Sequence, residues 1–534
     1  MKAVSDLKGA AYAKESVEAM NITLDKKAKR SLYRQLRDQL RRMVDDGALP
    51  PGARLPGTRE LAEQLGVSRK TVLTAFVELE AESYLESIPQ SGTFVKDRRK
   101  LTLYGSKAPV VESVNAVVDN TEPFEWERFQ IPGEFFAMPP RTNGTKDNHS
   151  ISFTKALPDD RLFPFDQIKQ ITSTLLWYPK DFFFNYGNPQ GYQPLVEYIE
   201  GKMALDGVDM AAGSKHENHV IITNGFQSAL NLILTLLVKP GDTVAIENPT
   251  YAAILNLLIA RGINYVGIPV DDNGMRVDEL AGVASKQKIS AVITIPTFHN
   301  PTGTTLSLER RHALLRLAEM HKFPIIEDAY ANDLRYSGEV LPTLKSLDRG
   351  GYVLQIGSFS KTLLPGLRLG WITLPVEAAQ SVFRLKRACD KSDSFFLQVI
   401  LHEFIKKGHF DRHLKRTRRI YRSRLDAMVA AMREHFPKEV TWYQTDGGLS
   451  LWVNLPKSWK SMAVYQLARE RGVEFAVANF FWSDKHDSNG FRLSFAQLDE
   501  NEIVEGIKRL GELLREIALD PSQVKGKEFG YEEL

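Results

Sequence analysis

Hydrophobic residues recur at two different spacings along the chain, and the change of spacing divides it into parts. Leu32, Leu36 and Leu40 lie at helical spacing near the start, and two shorter helical stretches follow at 59–65 and 69–81. From Ile151 onward, helical stretches alternate with short, almost continuous apolar runs that are typical of buried parallel strands. The pattern predicts a small helical unit followed by a large α/β unit.

The residues that begin and end helices in the small unit follow the pattern of a helix-turn-helix. Thr58 is expected to cap the second helix and Gly66 to end it, and Val67-Ser68 leads directly into the third helix. Two short strands, 84–86 and 93–95, flank the turn 89–92 and form a small wing. This α+β arrangement would place the N-terminus of the third helix in the major groove of DNA. The residues expected there are Ser68, Arg69, Lys70 and Thr71.

Segments without periodicity separate and flank the two units. We predict a flexible N-terminal arm at 1–25, the DNA-binding domain at 26–97, a linker at 98–150, the large domain at 151–520 and a C-terminal tail at 521–534. The basic start of the linker could touch DNA, although a solvated charge run is the simpler interpretation.

The large unit predicts strands that end in polar motifs. The strands are expected at 220–225, 243–247, 291–295, 324–330 and 352–357. Helices follow 398, and two further strands at 450–454 and 490–495 indicate a smaller C-terminal α+β subdomain. The carboxyl ends of parallel strands meet at one edge of a sheet, so the polar motifs should converge there.

Lys361 stands out among the polar residues at these strand ends. It follows a buried strand, in the loop Ser358-Phe359-Ser360-Lys361, with Arg368 seven residues later. A buried lysine can lose its proton and act as a nucleophile, and serines with an arginine can hold a phosphate. A lysine beside a phosphate site favours pyridoxal phosphate (PLP) bound as a Schiff base. A solvated surface lysine is the alternative.

Each further requirement of PLP has a candidate at another strand end. Asp328 could keep the pyridine nitrogen protonated, Asn300 and Tyr330 could donate to the ring oxygen, and Tyr251 could stack on the ring. Taken singly, Asp328 could equally cap a helix, and Asn300 could belong to an ordinary turn. The helix that begins at Phe226 and Gln227 offers its N-terminus to the phosphate, together with three side chains. These are Ser358, Ser360 and Arg368.

Composition and charge narrow the class of protein. The chain has 534 residues and a net charge of +3, and residues 26–100 hold 16 Lys and Arg against 10 Asp and Glu. This basic front favours a polyanionic partner. The single cysteine, Cys389, excludes an intramolecular disulfide, and we expect it to be buried. No apolar segment is long enough for a membrane span or signal peptide, and no metal-ligand spacing is found. We expect a cytoplasmic, nucleoid-associated protein.

The front of the chain resembles the winged-helix domain of GntR-type repressors. The resemblance lies in Gly52-Ala53-Arg54-Leu55-Pro56-Gly57-Thr58-Arg59-Glu60-Leu61-Ala62, Val67-Ser68-Arg69-Lys70-Thr71-Val72 and Ser91-Gly92-Thr93-Phe94-Val95. It implies that Arg59, Arg69, Thr71 and the wing tip Gly92 meet DNA. Ser31, Gly57 and Ser83 stand where the family usually has proline, serine and glycine, which adjusts the turns without changing the fold.

The order of the polar motifs resembles that of fold-type I aminotransferases across 151–515. The resemblance implies a Schiff base on Lys361, a pyridine partner in Asp328, and ring contacts from Asn300, Tyr330 and Tyr251. It also implies that Arg492 grips a carboxylate of the ligand; a surface ion pair is the alternative for this arginine. Tyr186 would reach the phosphate of a neighbouring subunit.

A GntR-like domain joined to an aminotransferase-like body resembles the MocR family of bacterial regulators. The resemblance implies a head-to-tail homodimer that binds double-stranded promoter DNA and senses PLP, or an amino compound by transaldimination at Lys361. Ala253 stands where members that respond to γ-aminobutyrate have an arginine, which argues against that effector. Such a regulator would have at most weak aminotransferase half-reaction activity. A working aminotransferase and a DNA-binding protein without cofactor are the alternatives.

Overall fold

The computed structural model describes residues 22–25, 31–88, 91–96, 150–177, 186–483 and 489–524. The predictions for most of the N-terminal arm, for the linker up to residue 149 and for the tail from 525 lie outside these ranges. The chain divides into two compact units, Met1–Trp126 and Glu127–Leu534, which we describe separately.

The first unit is a winged helix-turn-helix. Its elements are α1 (Leu32–Asp45), α2 (Thr58–Gln64), α3 (Arg69–Ala81), β1 (Leu85–Ile88) and β2 (Gly92–Val95). The two strands pair antiparallel, with Leu85 opposite Val95. Leu36, Leu40, Phe76 and Leu79 are buried in a common core, so the three helices pack through the apolar positions that the sequence pattern marked.

The helices of this unit begin and end where the sequence predicts, except for one capping residue. The Ser68 hydroxyl accepts a hydrogen bond from the Thr71 N–H at 3.1 Å, which caps α3. The predicted cap at Thr58 is wrong, because Thr58 is already the first helical residue. Gly57 occupies the cap position and donates its N–H to the Glu60 carboxylate at 3.4 Å. Ser83 has a φ of 60°, the conformation that glycine adopts most easily.

The second unit contains an eight-stranded sheet of order β4-β11-β10-β9-β8-β5-β6-β7. The strands are β4 (Asn218–Thr223), β5 (Thr243–Asn248), β6 (Asn264–Asp271), β7 (Gly274–Met275), β8 (Ala291–Thr294), β9 (Ile325–Asp328), β10 (Val353–Ser358) and β11 (Gly370–Pro375). The run β6-β5-β8-β9-β10 is parallel throughout. β11 is antiparallel to both β10 and β4, so β4 points the same way as the parallel run. The carboxyl ends of β4, β5, β8, β9 and β10 therefore share one edge.

Helices connect these strands and cover the sheet. They are α4 (Phe165–Trp177), α5 (Gln193–Leu205), α6 (Gly225–Leu237), α7 (Ala252–Ala260), α8 (Val277–Ala284), α9 (Leu308–His321), α10 (Leu344–Leu347), α11 (Val376–Cys389) and α12 (Phe395–Lys406). The central strands β8, β9 and β10 are buried along their whole length, which is typical of a parallel sheet covered on both faces, whereas β6 near the edge is mostly half-buried or exposed.

A smaller subdomain follows α13 (His409–His435). Its strands are β12 (Thr441–Trp442), β13 (Ser450–Asn454), β15 (Ala476–Val477) and β16 (Gly490–Ser494), and its later helices are α14 (Ser461–Glu470) and α15 (Glu500–Leu519). The four strands form an antiparallel sheet of order β12-β13-β16-β15. β3 (Ile151–Ser152), the first strand of the body, pairs with β14 (Val473–Glu474) of this subdomain. The predicted strands at 450–454 and 490–495 agree closely with β13 and β16.

The structure contradicts one expectation about a single residue. The expectation that Cys389 is buried is wrong, because this last residue of α11 is exposed to solvent. Within the described ranges, no helix is long and apolar enough to cross a membrane. No group of His, Cys, Asp and Glu in those ranges could hold a metal ion.

Candidate cofactor, effector and DNA-binding sites

The predicted ligand residues meet at the shared edge of the large sheet. β9 ends at Asp328 and β10 ends at Ser358, and these strands are neighbours with Ile356 paired to Asp328. Tyr251 follows β5, Asn300 follows β8 and Gly225 opens the helix after β4. The parallel topology thus brings together residues that are far apart in the sequence.

Lys361 points into the body rather than into solvent. Its Nζ donates a hydrogen bond to the main-chain oxygen of Ala156 at 2.9 Å. Burial, together with the positive charge of Arg492, lowers the pKa of Lys361 to about 8 against the opposing effect of Asp328. The amine is therefore much easier to deprotonate than a solvated lysine, as a nucleophile requires.

Asp328 is almost fully buried beside this lysine. Its Oδ1 accepts a hydrogen bond from the Tyr330 N–H at 3.1 Å. Burial is the main cause that raises the pKa of Asp328 to about 8. The nearby carboxylate of Glu247 acts in the same direction, and the Tyr330 N–H and Lys361 act against it. A buried carboxylate with so little compensation is suited to pair with a cationic group of a ligand.

Tyrosine and phenylalanine rings line the same region. The Tyr330 hydroxyl donates to the main-chain oxygen of Phe298 at 2.8 Å, and burial raises the pKa of this tyrosine. The rings of Phe226 and Tyr251 lie 6.1 Å apart between centroids, inclined at 54°. Burial also raises the pKa of Tyr251, which feels the charges of Asp328, Arg492 and Arg368. Both tyrosines therefore stay protonated. The single O–H of Tyr330 is already engaged with Phe298, so the predicted donation from Tyr330 to the ring oxygen is not available in this arrangement.

Arg368 and the start of α6 form a cradle for an anion. The Arg368 Nη2 donates to the main-chain oxygen of Asn224 at 3.1 Å. Gly225 has a φ of 76°, and a Cβ there would lie 3.2 Å from the Nη2 of Arg368. The Ser358 hydroxyl accepts the Ser360 N–H at 3.1 Å, which folds the loop before Lys361. Gln227 and Arg368 remain solvent-accessible at this helix N-terminus.

Arg492 is buried close enough to Lys361 for its charge to act on the lysine. Its Nη1 donates to the Asn300 Oδ1 at 2.9 Å, and its Nη2 donates to the main-chain oxygen of Thr154 at 2.7 Å. Its Nε has no hydrogen-bond partner among the described residues, and the guanidinium lies 4.9 Å from the ring centroid of Phe481. Burial lowers the pKa of Arg492 to about 10. Its partners are an amide and a carbonyl, which argues against the surface ion pair considered above.

Tyr186 is the one predicted cofactor residue that lies outside this cluster. Its side chain is 81% exposed, and the Nζ of Lys391 lies 4.6 Å from its ring centroid. The predicted role of Tyr186 requires a second subunit, so it stays a prediction.

The sequence did not predict two kinds of contact. One kind involves main-chain atoms, and the other involves buried residues that pack behind the predicted site residues. The main-chain oxygen of Thr154 accepts a hydrogen bond from Arg492, and that of Ala156 accepts one from Lys361. Nothing in the residue types of Thr154 and Ala156 predicts these contacts. Below the site, the Glu247 carboxylate lies 3.2 Å from the Nε2 of His299, and both side chains are buried. A charged residue inside a buried strand was the only available signal for Glu247.

The clustered residues fit PLP. One edge of the sheet carries the groups that PLP requires. They are the amine of Lys361, the buried carboxyl group of Asp328, the two protonated tyrosines and the anion cradle at Arg368. A Cβ at Gly225 would crowd the cradle, and the Nε of Arg492 is available to a further acceptor.

The predicted DNA-binding residues of α2 and α3 are accessible to solvent. Arg59, Ser68, Arg69 and Lys70 are exposed and Thr71 is half-buried. The Arg69 Nε donates to the Thr58 hydroxyl at 3.3 Å, which joins the starts of α2 and α3.

The wing tip carries a further basic residue that the sequence prediction omitted. Gly92 begins β2 with a φ of 117°, and a Cβ there would lie 2.9 Å from the Nε of Arg54. Arg54 is exposed beside the wing, where its backbone bridges to Phe94. Its signal was present in the sequence, as the one basic residue in the run Gly52–Pro56.

Comparisons with known proteins agree with both units. The family model of aminotransferase class I and II matches residues 180–510, and that of bacterial regulatory proteins of the gntR family matches residues 32–95. The probable rhizopine catabolism regulatory protein MocR of Rhizobium meliloti is 31% identical over 493 residues, which is 92% of this chain and 95% of that protein.

Enzymes without the first unit are similar to the body. Aromatic-amino-acid aminotransferase 1 of Thermococcus litoralis is 34% identical over 377 residues, covering 68% of this chain and 88% of the enzyme. The crystal structure of a multiple substrate aminotransferase from Thermococcus profundus superposes with a TM-score of 0.68 at 30% identity. It covers 74% of this chain and 99% of the enzyme chain.

Proposed function

Because this chain belongs to the MocR-type regulators, with a GntR winged helix followed by a PLP-dependent class I and II aminotransferase domain, we propose that it couples ligand binding in the body to promoter binding. The observation that carries this proposal is the cluster of Lys361, Asp328, Arg368 and Arg492 in the body of a chain that begins with a DNA-reading domain. We further propose that it acts as a homodimer in the bacterial cytoplasm.

Each residue of the cluster has a role that follows from its position. When bound, PLP supplies an aldehyde that condenses with a primary amine and a pyridine ring that withdraws electrons. Lys361 supplies the amine, whose lowered pKa makes the neutral form accessible near pH 8. Asp328 supplies the anion for the pyridine nitrogen, and Arg368 with the start of α6 holds the phosphate.

Arg492 gives the site its preference for an effector. A guanidinium fork binds a carboxylate through two parallel hydrogen bonds, and the free Nε of Arg492 leaves it donors for that purpose. We therefore propose an effector with both an amine and a carboxylate. For the effector to alter DNA affinity, it must bind one arrangement of the two units more tightly than another.

Absorbance and promoter binding test the two halves of the proposal in one preparation. We expect the purified protein to show a visible absorbance band after loading with PLP, and Lys361→Ala to lose it. Arg69→Ala should abolish specific promoter binding at physiological salt and keep the absorbance. A colourless wild-type protein, or unchanged promoter binding by Arg69→Ala, would contradict the corresponding half. Lys322→Ala, an exposed lysine on the body, is the matched control for the first variant.

A working aminotransferase is the second candidate. All the residues proposed to hold the cofactor are present, and the similarity to known aminotransferases extends over most of the body. Turnover distinguishes the two functions. Conversion of an amino acid and an oxo acid at about 1–1,000 per second, the usual range of enzymes, would favour the enzyme. We expect no more than slow, single-turnover conversion.

A further inference from the structure

The outward face of the recognition helix α3 changes character after its first turn. Its start carries Arg69 and Lys70, but the next two turns expose Leu73 and Val77, with 48% and 55% of their surfaces accessible. Residues 72, 75, 76 and 79 form the buried stripe, so Leu73 and Val77 lie away from the core of the unit. Arg69, Leu73 and Val77 succeed one another at intervals of four residues along one side of the helix.

The polar groups near this face are already engaged. Thr74 lies between Leu73 and Val77 in the sequence. Its hydroxyl donates to the main-chain oxygen of Lys70 at 2.9 Å, so its one side-chain donor is engaged. Glu78 accepts a hydrogen bond from the Arg37 Nη1 at 2.8 Å, so its carboxylate is held against α1. Beyond its basic first turn, the helix therefore offers methyl groups and no free donor.

DNA accounts for this face better than a protein partner. Leu73 and Val77 directly continue a row that starts with a guanidinium, and Arg59 is exposed at the start of the neighbouring helix. A polyanion is attracted by these charges, and the ion pair with Arg37 weakens the repulsion by the Glu78 carboxylate. In the major groove, the 5-methyl group of thymine is the apolar feature of a base edge.

We propose that Leu73, supported by Val77, contacts the methyl group of a thymine in the major groove. Leu73 lies one turn of α3 after Arg69, so this thymine lies close to the base that Arg69 contacts. Arginine binds guanine edges through its fork, so each half-site should contain a thymine close to a guanine. This inference rests on the proposed DNA-binding function and adds the residue that determines specificity.

Replacement of thymine by deoxyuridine removes that methyl group and leaves base pairing intact. The full chain, loaded with PLP, would first select its binding sites from a pool of random duplexes. Each thymine of the selected site would then be replaced in turn. We expect one or two positions per half-site at which the replacement weakens binding by about 3- to 5-fold, the effect of one buried methyl group.

The variants assign this loss to the helix face. Leu73→Ala should bind the thymine duplex more weakly and no longer distinguish thymine from deoxyuridine at that position. Arg69→Ala, measured at lower salt, should bind weakly and still distinguish them. Leu205→Ala removes an exposed leucine of the body, 91% accessible, and should change nothing. Leu73 is exposed, so its variant should keep the thermal unfolding of the wild type.

The outcomes separate failure of this inference from failure of the proposed function. If the random pool yields no enriched duplex, the DNA-binding function itself is wrong. If duplexes are enriched but no thymine replacement weakens binding, or Leu73→Ala remains as sensitive as the wild type, the assignment of Leu73 is overturned. A change of oligomeric state in Leu73→Ala with unchanged DNA binding would show that protein covers this face, which also overturns it.

Discussion

Lys361 and Asp328 lie in the same buried region, and burial moves their pKa values toward each other. Both reach about 8, one from above and one from below their ordinary values. Neither residue type alone predicts this, because the shift is caused by the loss of water around the charged form. The functional consequences differ, since Lys361 must lose a proton and Asp328 must hold a charge.

The lowered pKa of Lys361 predicts how fast PLP is captured. The neutral fraction of the amine rises tenfold per pH unit below about 8 and levels off above it. We therefore expect the rate of the absorbance change, after PLP is mixed with cofactor-stripped protein, to follow the same curve. Stopped-flow measurements from pH 6 to 10 would check this. A rate that still rises steeply at pH 10 would indicate an ordinary lysine.

The raised pKa of Asp328 predicts that the free energy of unfolding of the cofactor-free protein decreases as the pH rises. Its folded pKa of about 8 exceeds the unfolded value of about 3.9, so its stabilising contribution is complete below pH 4 and is lost as the pH rises through 8. The lowered pKa of Lys361 changes stability mainly between pH 8 and about 10.4, outside the range from 5 to 8. Burial also shifts the pKa values of His413 and Glu327, so the contribution of Asp328 is measured as a difference from a variant of that residue.

Asp328→Asn should remove this dependence. Relative to the wild type, we expect the variant to gain roughly 2–4 kcal/mol in free energy of unfolding between pH 5 and 8, because it carries no buried charge. Urea unfolding of cofactor-free protein at both pH values measures the difference, and PLP affinity should fall. Asp426→Asn, at an exposed carboxylate, is the control. An equal gain at pH 5 and pH 8 would rule out the titration of Asp328 as its cause.

At the scale of elements, the pair β10–β11 delivers Lys361. Gly357 lies opposite Trp371 in this antiparallel pair, and the indole packs against the bare Cα of the glycine. The strand ends one residue later, and the loop with Lys361 begins. The position of the lysine therefore depends on a glycine four residues before it.

Gly357→Ala should disturb both stability and the cofactor site. A Cβ at this position would overlap the Trp371 ring, which is buried, so strand or ring must move at a cost of about 1–3 kcal/mol. We expect a lower melting temperature and weaker PLP absorbance. Gly366→Ala, in the same loop with its nearest contact at 3.9 Å, should affect neither. Retention of the full absorbance by Gly357→Ala would show that the loop adjusts independently of the strand.

At the scale of the whole molecule, the chain contains two compact units with separate cores. A ligand that binds only the folded form stabilises the unit that binds it, by about 2.7 kcal/mol at one hundred times its dissociation constant. The winged helix should therefore respond to DNA and the body to PLP.

Calorimetry with each ligand checks this assignment. We expect PLP to raise the melting temperature of the body and promoter DNA to raise that of the winged helix. Lys361→Ala should remove only the effect of PLP, and Arg69→Ala only that of DNA. Loss of both effects in either single variant would contradict the division of roles.

The sequence by itself determined the two units and most strands of the large sheet, and it marked most of the residues that the fold brings together at the candidate site. Helical spacing and apolar runs are local properties, and the motifs at the strand ends carry their chemistry in the residue types. The cap assigned to Thr58 was wrong because helix ends shift by a residue without changing the pattern.

Only the tertiary structure decided how the site is held together. Lys361 donates to a carbonyl 205 residues away and Arg492 to one 338 residues away, and every residue type offers such an acceptor. Burial, which shifts the pKa values of Lys361 and Asp328, arises from packing of distant segments. Contacts to main-chain atoms and the exclusion of water leave no local pattern in a sequence, so they became visible only in the folded chain.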